Sequence, residues 1–126
     1  MSKRLLIIDN DAEVLNMMQE ALEYEGFEVK IQGDTNQVFD VIAEYQPDLI
    51  MIDYILDGIN GGETCHQIKV NPVTSHLPVI IVSAYSKVIL SLGNYKSDAF
   101  LAKPFGLDQL VNLVNQLLSG EALELH

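Results

Sequence analysis

PDLIMIDYILDGING, residues 47–61, contains a four-residue apolar run, 49–52, that stops at Asp53. Pro47-Asp48 bounds the run on one side and a Gly/Asn-rich stretch on the other. Uninterrupted apolar sequence of that length suits a parallel strand covered on both faces, whereas a half-exposed strand alternates. The predicted strand delivers Asp53 to its C-terminal end. Nothing inside the run neutralises a carboxylate, so the partners of Asp53 must come from neighbouring strand ends. Taken alone, an Asp after a strand is more often a turn or helix-cap residue than a reactive group. The rest of the chain changes that balance.

Upstream, residues 5–8 form another apolar run that ends abruptly in Asp9-Asn10-Asp11. Asp11 suits the N-cap of a helix whose Val14, Leu15, Met18 and Leu22 fall at the 3.6-residue period, and Gly26 stops it. Residues 27–31 predict a second strand with Phe27, Val29 and Ile31 on one face. Gly33-Asp34-Thr35 reads as a turn, and Val38, Val41, Ile42 and Tyr45 form the stripe of a second helix closed by Pro47. Downstream, residues 57–62 read as a turn and 62–70 as a helix ended by Asn71-Pro72. Pro78 opens a fourth apolar run, 79–82, which delivers Ser83. Residues 86–92 are weakly helical and stop at Gly93-Asn94. Residues 99–102 predict a short fifth strand that delivers Lys103, followed at once by Pro104. Leu107, Leu110, Val111, Val114, Leu117 and Leu118 share the stripe of the last helix, which Gly120 ends.

Strand and helix alternate five times, which predicts an α/β fold with a parallel sheet, right-handed crossovers and helices on both faces. In such folds the ligand crevice lies beyond the carboxyl ends of the strands, where strand order reverses. The residues expected there are Asp9, Asn10, Asp11, Asp53, Ser83 and Lys103.

The composition agrees. The chain has 126 residues, 48% of them apolar and 20% charged, which is globular composition of single-domain size. No apolar run approaches the ~18 residues that cross a bilayer, and residues 5–8 are too short for a secretory signal. One cysteine, Cys65, permits no internal disulfide, so a reducing cytoplasm is the expected compartment, with Cys65 a small filler on a helix. A net charge of −11 argues against this domain gripping a nucleic-acid backbone by itself. Most of the acid at Glu20, Glu23, Glu25 and Glu28 reads as solubilising. His66, His76 and His126 show no ligand spacing among them.

Carboxylates on two adjacent strand ends would make a hard-oxygen site suited to Mg²⁺, which takes few protein ligands and keeps waters. A lysine and a hydroxyl on two further strand ends suit the oxygens of a phosphoryl group carried on one carboxylate. Asp9 in the acidic cluster, Asp53, Asn60-Gly61, Ser83-Ala84 and Lys103-Pro104-Phe105, in that order, resemble the receiver domain of two-component response regulators over nearly the whole chain. The resemblance implies a flavodoxin-like (βα)5 three-layer sandwich of strand order 2-1-3-4-5, with residues 1–120 as the receiver and 121–126 as a tail or linker start. It implies Asp53 as phosphoacceptor, with Mg²⁺ (or Mn²⁺) held by Asp9, Asn10, Asp53 and the backbone carbonyl of Ile55. Lys103 and Ser83 would contact the phosphoryl group, and Ser83 with Phe100 would form the switch. A cis Lys103-Pro104 bond is expected by the same analogy.

The implied partners are a histidine kinase or phosphotransfer protein, and an output domain, partner protein or second copy on the face of the fourth helix, fifth strand and fifth helix. No membrane and no direct nucleic-acid contact is expected, and no enzyme activity beyond the domain's own phosphorylation and dephosphorylation. Three departures stand out. Asn10 replaces the second acid of the usual pair, which predicts weaker Mg²⁺ binding; Asp57 stands where proline is common; and residues 83–103 are short and lack the Gly-Ala step before the fifth strand. Ile55 and Tyr85, two residues after Asp53 and Ser83, are bulky, and are expected to hinder hydrolysis of an acyl phosphate. Two other readings stay open: a receiver-like interaction module that works without phosphate, and, more remotely, a haloacid-dehalogenase-like phosphatase using Asp9 and Asp11.

Overall fold

The structure, a computed structural model, describes residues 2–56, 59–84 and 95–120, without the side chains of Ile55, Leu56 and Ile59. Strands β1 (Arg4–Ile8), β2 (Glu28–Gln32), β3 (Leu49–Asp53), β6 (Val79–Ser83) and β7 (Ala99–Ala102) form one sheet, and β4 (Ile55–Leu56) pairs with β5 (Ile59–Asn60) in a small hairpin. The helices are α1 (Ala12–Tyr24), α2 (Val38–Tyr45), α3 (Gly61–Val70) and α4 (Leu107–Leu118). The sheet is parallel throughout and runs β2-β1-β3-β6-β7. Counting the five sheet strands alone, that is the order 2-1-3-4-5, a flavodoxin-like fold.

Apolar runs and burial coincide. All five residues of β3 and of β6 are buried, because both strands are interior and covered on both faces. Edge strands β2 and β7 are mixed. Alternation along the interior strands then feeds two cores. Leu5, Ile7, Leu49, Met51, Ile80 and Val82 face Leu15, Met18 and Leu22 of α1 and Leu110 and Val114 of α4. Leu6, Ile8, Ile50, Ile52, Val79 and Ile81 face Val38 and Ile42 of α2 and Cys65 and Ile68 of α3.

The helix ends follow local chemistry. Asp11 caps α1, its carboxylate accepting from the N–H groups of Glu13 and Val14. Gly26 closes α1 at φ +96°, with its N–H on Glu23 O and the Phe27 N–H on Leu22 O. That double bond pattern needs a left-handed residue after the C-cap, which glycine adopts freely. It also draws Phe27 into the turn, so β2 begins at Glu28, one residue later than the hydrophobic pattern predicts. Asn60 caps α3 through its side-chain oxygen, which accepts from Gly62 N at 2.7 Å.

Two predictions need correction. Residues 57–62 are not simply a turn: Ile59–Asn60 pairs antiparallel with Ile55–Leu56, and α3 starts at Gly61. Leu107, assigned to the buried stripe of the last helix, is 46% exposed, while Leu110 and Val114 are fully buried. Leu107 is the first residue of its helix and lies past the edge of the core. The predicted helix at 86–92 lies outside the described residues. Just beyond it, Tyr95 and Lys96 take left-handed backbone at φ +53° and +63°, where the chain has no glycine. Such conformations cost non-glycine residues ~1–2 kcal/mol each, so contacts must hold them.

Candidate functional site

Three of the strands end in the charged residues that the sequence singled out. Asp53 is the last residue of β3, Asp9 follows β1 directly and Lys103 follows β7. Adjacent parallel strands in matching register bring Ile8 level with Ile52, so Asp9 and Asp53 emerge side by side. The Lys103 ammonium reaches both: Nζ lies 3.0 Å from Asp9 Oδ2 and 3.3 Å from Asp53 Oδ1. The other Asp9 oxygen, Oδ1, accepts from the Asp11 N–H at 2.9 Å. Backbone bonds fix the strand ends, with Asp9 N on Gln32 O at 3.1 Å and Lys103 N on Ser83 O at 2.8 Å. Ser83 is buried at the end of β6, level with Ala102 of β7 and one residue beyond the partner of Asp53. The Lys103-Pro104 bond is cis, as expected.

The electrostatics follow from two acids facing one cation. Asp9 is 2% exposed and Asp53 8% exposed, both well out of water. Burial raises the Asp53 carboxyl above its ordinary value and the Asp9 charge raises it further, against the opposing pull of Lys103. Burial alone would lower the Lys103 ammonium, but its hydrogen bond to Asp9 and the charges of Asp53 and Asp9 leave it raised. The cluster therefore retains excess negative charge, and a cation placed on the two carboxylates would relieve it.

The donor chemistry fits Mg²⁺ on that account. Two carboxylates are the hard oxygen ligands that this ion accepts while keeping most of its waters. Among the described residues no group of three or more His, Cys, Asp or Glu comes together, in keeping with Asn10, an exposed amide, standing where a third acid would be. Asp11 is exposed and engaged at the helix terminus.

Beside this cluster lies an aromatic one that sequence reasoning missed. Tyr54, directly after Asp53, places its hydroxyl 3.4 Å from that of Tyr95, with ring centroids 6.0 Å apart. The Asn60 amide donates to the Tyr95 hydroxyl at 3.3 Å, and the Cys65 thiol to the Tyr95 carbonyl at 3.6 Å. The Tyr95 ring covers Gly62, where a Cβ would come within 2.6 Å of Cδ2. At Gly61 a Cβ would collide with the Asp53 carbonyl, and Gly61 N donates to Tyr54 O at 2.6 Å. Both glycines are thus required by close approach rather than by turn geometry. Phe100 packs half-buried against the same core as Tyr54 and Tyr95.

The structure thus gathers Asp9, Asp53 and Lys103, with Ser83 on the intervening strand end. The Ile55 side chain and all of Tyr85 lie outside the described residues, as does Asp57. Cys65 is buried, and burial pushes its thiol up to about 12, so it is the inert filler the sequence suggested.

Comparison with known proteins identifies the family and the fold. Residues 5–115 match the response regulator receiver domain family. "DNA-binding response regulator MtrA" of Mycolicibacterium paratuberculosis is 31% identical over 121 residues, covering 94% of this chain and 52% of that protein. "Response regulator MprA" of Mycobacterium bovis is 28% identical over 120 residues, with 94% and 51% covered. The chain spans about half the length of these curated relatives. A crystal structure of a putative response regulator from Chloroflexus aurantiacus superposes with a TM-score of 0.86 at 27% identity, covering 94% of this chain and 99% of that one. A receiver domain protein (CheY-like) from Methanospirillum hungatei gives 0.83 at 26%, with 95% and 96% covered.

The chain belongs to the response regulator receiver domain family of two-component signalling. Members of that family are generally phosphoacceptors rather than enzymes, typically use Mg²⁺, and imply a histidine kinase as partner. No helix among the described residues is long and apolar enough to cross a membrane.

Proposed function

We propose that this chain is a phosphorylation-dependent switch whose phosphoacceptor is Asp53. The observation that carries the reading is the ammonium of Lys103 bridging Asp9 and Asp53, at 3.0 and 3.3 Å, on three strand ends of the sheet. An Asp53 carboxylate oxygen forms a bond to phosphorus as the N–P bond of a phosphohistidine breaks, and the imidazole leaves with that electron pair. The donor is a histidine kinase or phosphotransfer protein. Asp9, Asp53, the Asn10 amide oxygen and the Ile55 backbone carbonyl would hold Mg²⁺ or Mn²⁺, which would supply positive charge toward the phosphoryl oxygens. Lys103 gives up its bond to the bare Asp53 oxygen and takes a phosphoryl oxygen instead, and the Ser83 hydroxyl donates to another. Their movement repacks Phe100 and the surface around β7 and α4, which then binds an output domain, a partner protein or a second copy.

The receiver unit is residues 1–120, with 121–126 a tail or linker start, acting in the cytoplasm without membrane or direct nucleic-acid contact. Ile55 and Tyr85 are assigned a hindering role toward the hydrolytic water. A phosphate-independent interaction module is the second reading, favoured by Asn10 and by the absence of a third acid among the described residues.

Intact mass after incubation with acetyl phosphate and Mg²⁺ tests both. One added phosphoryl group in the wild type and none in Asp53→Asn is the expected result. No gain in the wild type, with recovery in Asn10→Asp, would show a site detuned by that amide; no gain in either would leave the binding module. Decay of the phosphorylated mass unchanged by small polar replacements of Ile55 and Tyr85 would remove their hindering role.

A further inference from the structure

We infer that Tyr95 is a strap: seated on Gly62 at the start of α3, it closes over Cys65, links through Tyr54 to the Asp53 strand end, and is released when Asp53 is modified. Only the last step rests on the phosphoacceptor reading.

The seat is built from several independent features. Gly62 leaves open the space that the Tyr95 ring fills, since any side chain there would meet Cδ2 and Cε2. Asn60 serves both α3 and the strap, accepting from Gly62 N at 2.7 Å while donating to the Tyr95 hydroxyl at 3.3 Å. The Tyr95 carbonyl receives the thiol of Cys65, which is wholly buried. Tyr54 ties this group to the site: its own N–H is on Val82 O at 2.8 Å, its carbonyl on Gly61 N, and its hydroxyl beside that of Tyr95.

The strap is also poised to leave. The hydrogen bonds of Tyr95 to Tyr54, Asn60 and Cys65, at 3.3 to 3.6 Å, are between neutral groups. Against them stand two consecutive non-glycine residues in left-handed backbone, Tyr95 and Lys96, a shape the free chain avoids. The backbone cost offsets part of what those contacts contribute, so release of Tyr95 costs less than the contacts alone would set. The segment leads straight into β7, so its release loosens the approach to Phe100, which shares the core on which Tyr54 and Tyr95 pack. Phosphorylation draws Ser83 and Lys103 toward the Asp53 strand end, which Tyr54 links to Gly61 and Tyr95.

Cys65, the single cysteine of the chain, reports the strap. Its thiol resists a thiol reagent while buried and reverts toward ordinary reactivity when uncovered. The full chain is labelled under native conditions, with global stability measured by urea unfolding in parallel. Tyr95→Ala is expected to speed Cys65 labelling at least tenfold, beyond what its change in global stability accounts for, and Gly62→Ala to do the same by blocking the seat. Tyr95→Phe, which keeps the ring and loses the hydroxyl, gives a smaller increase. Rates that stay at the wild-type value, or that rise only in proportion to lost global stability, overturn the strap, and Tyr95→Ala decides this even where Gly62→Ala does not fold.

Wild type treated with acetyl phosphate and Mg²⁺ is expected to label faster in the phosphorylated fraction. A phosphoryl group on Asp53 with an unchanged Cys65 rate overturns the coupling and leaves the phosphoacceptor reading intact. Absence of any phosphoryl group fails that reading and the release step built on it, while the variants still decide the strap.

Discussion

Two lysine–aspartate constellations sit at opposite ends of the sheet, and they differ in charge balance. At the N-terminal end of β6, Lys69 Nζ lies 2.8 Å from Asp98 Oδ2 and donates to Leu77 O at 2.9 Å, while Asp98 Oδ2 also accepts from Val79 N at 2.8 Å. One cation meets one anion, and the adjoining strand-end groups of Leu77 and Val79 are satisfied. At the C-terminal end, the single ammonium of Lys103 faces both Asp9 and Asp53, and the Asp53 carboxyl is raised by burial and by Asp9. The first arrangement is a clamp that ties α3 to the starts of β6 and β7. The second sets two carboxylates against one ammonium, an excess that a further cation would offset. Proximity of opposite charges is common to both; the charge imbalance is what separates them.

The sharpest way to break this contrast is to remove each lysine or its partner in turn. Lys103→Ala is expected to slow phosphorylation by acetyl phosphate by on the order of a hundredfold, since a preorganised cation at the phosphoryl oxygens is lost. Intact mass against time measures it. A wild-type rate would mean that the bridge to Asp9 and Asp53 plays no part in transfer.

Asp98→Ala probes the clamp. It strands a half-buried Lys69 and removes the acceptor of Val79 N–H, at an expected cost of ~1–3 kcal/mol of stability. Its phosphorylation rate should match the wild type. Urea unfolding with an unchanged midpoint would show that the clamp contributes nothing, and a slowed rate would erase the distinction between the two ends.

These ends were not equally legible in the sequence. The site was, because apolar runs that stop dead at Asp9, Asp53, Ser83 and Lys103 state both the strand and the address of its last residue. The cap at Asp11 and the stop at Gly26 were legible for the same reason: their chemistry is local. The clamp was not, because Lys69 and Asp98 are 29 positions apart and nothing about either residue alone points to the other. Tyr95 was hidden likewise, since its seat on Gly62 depends on an absence of side chain in a different element. The pairing of β4 and β5 has a signal in the sequence, Asp57-Gly58 between the apolar pair Ile55-Leu56 and Ile59. The one-residue delay of β2 came from a helix-closing turn that took Phe27, a contact that hydrophobic alternation does not encode.

The smallest expected effect tests the imbalance itself. Asp53→Asn, in protein stripped of metal by a chelator, leaves one cation facing one anion, as at Lys69, and should stabilise the fold by ~0.5–2 kcal/mol near neutral pH. The sign follows from Asp53 itself. Its folded carboxyl is raised, so the fold holds a proton there more tightly than the unfolded chain does. The wild type therefore gains stability relative to Asp53→Asn as pH falls through the raised value toward the ordinary 3.8, and the gap between the two proteins closes. Urea unfolding of both proteins from neutral pH down to about pH 4 measures the gap. A gap that widens as pH falls, or a destabilised Asp53→Asn at neutral pH, would mean that Lys103 already balances the pair, and the two ends of the sheet would then differ in position but not in kind.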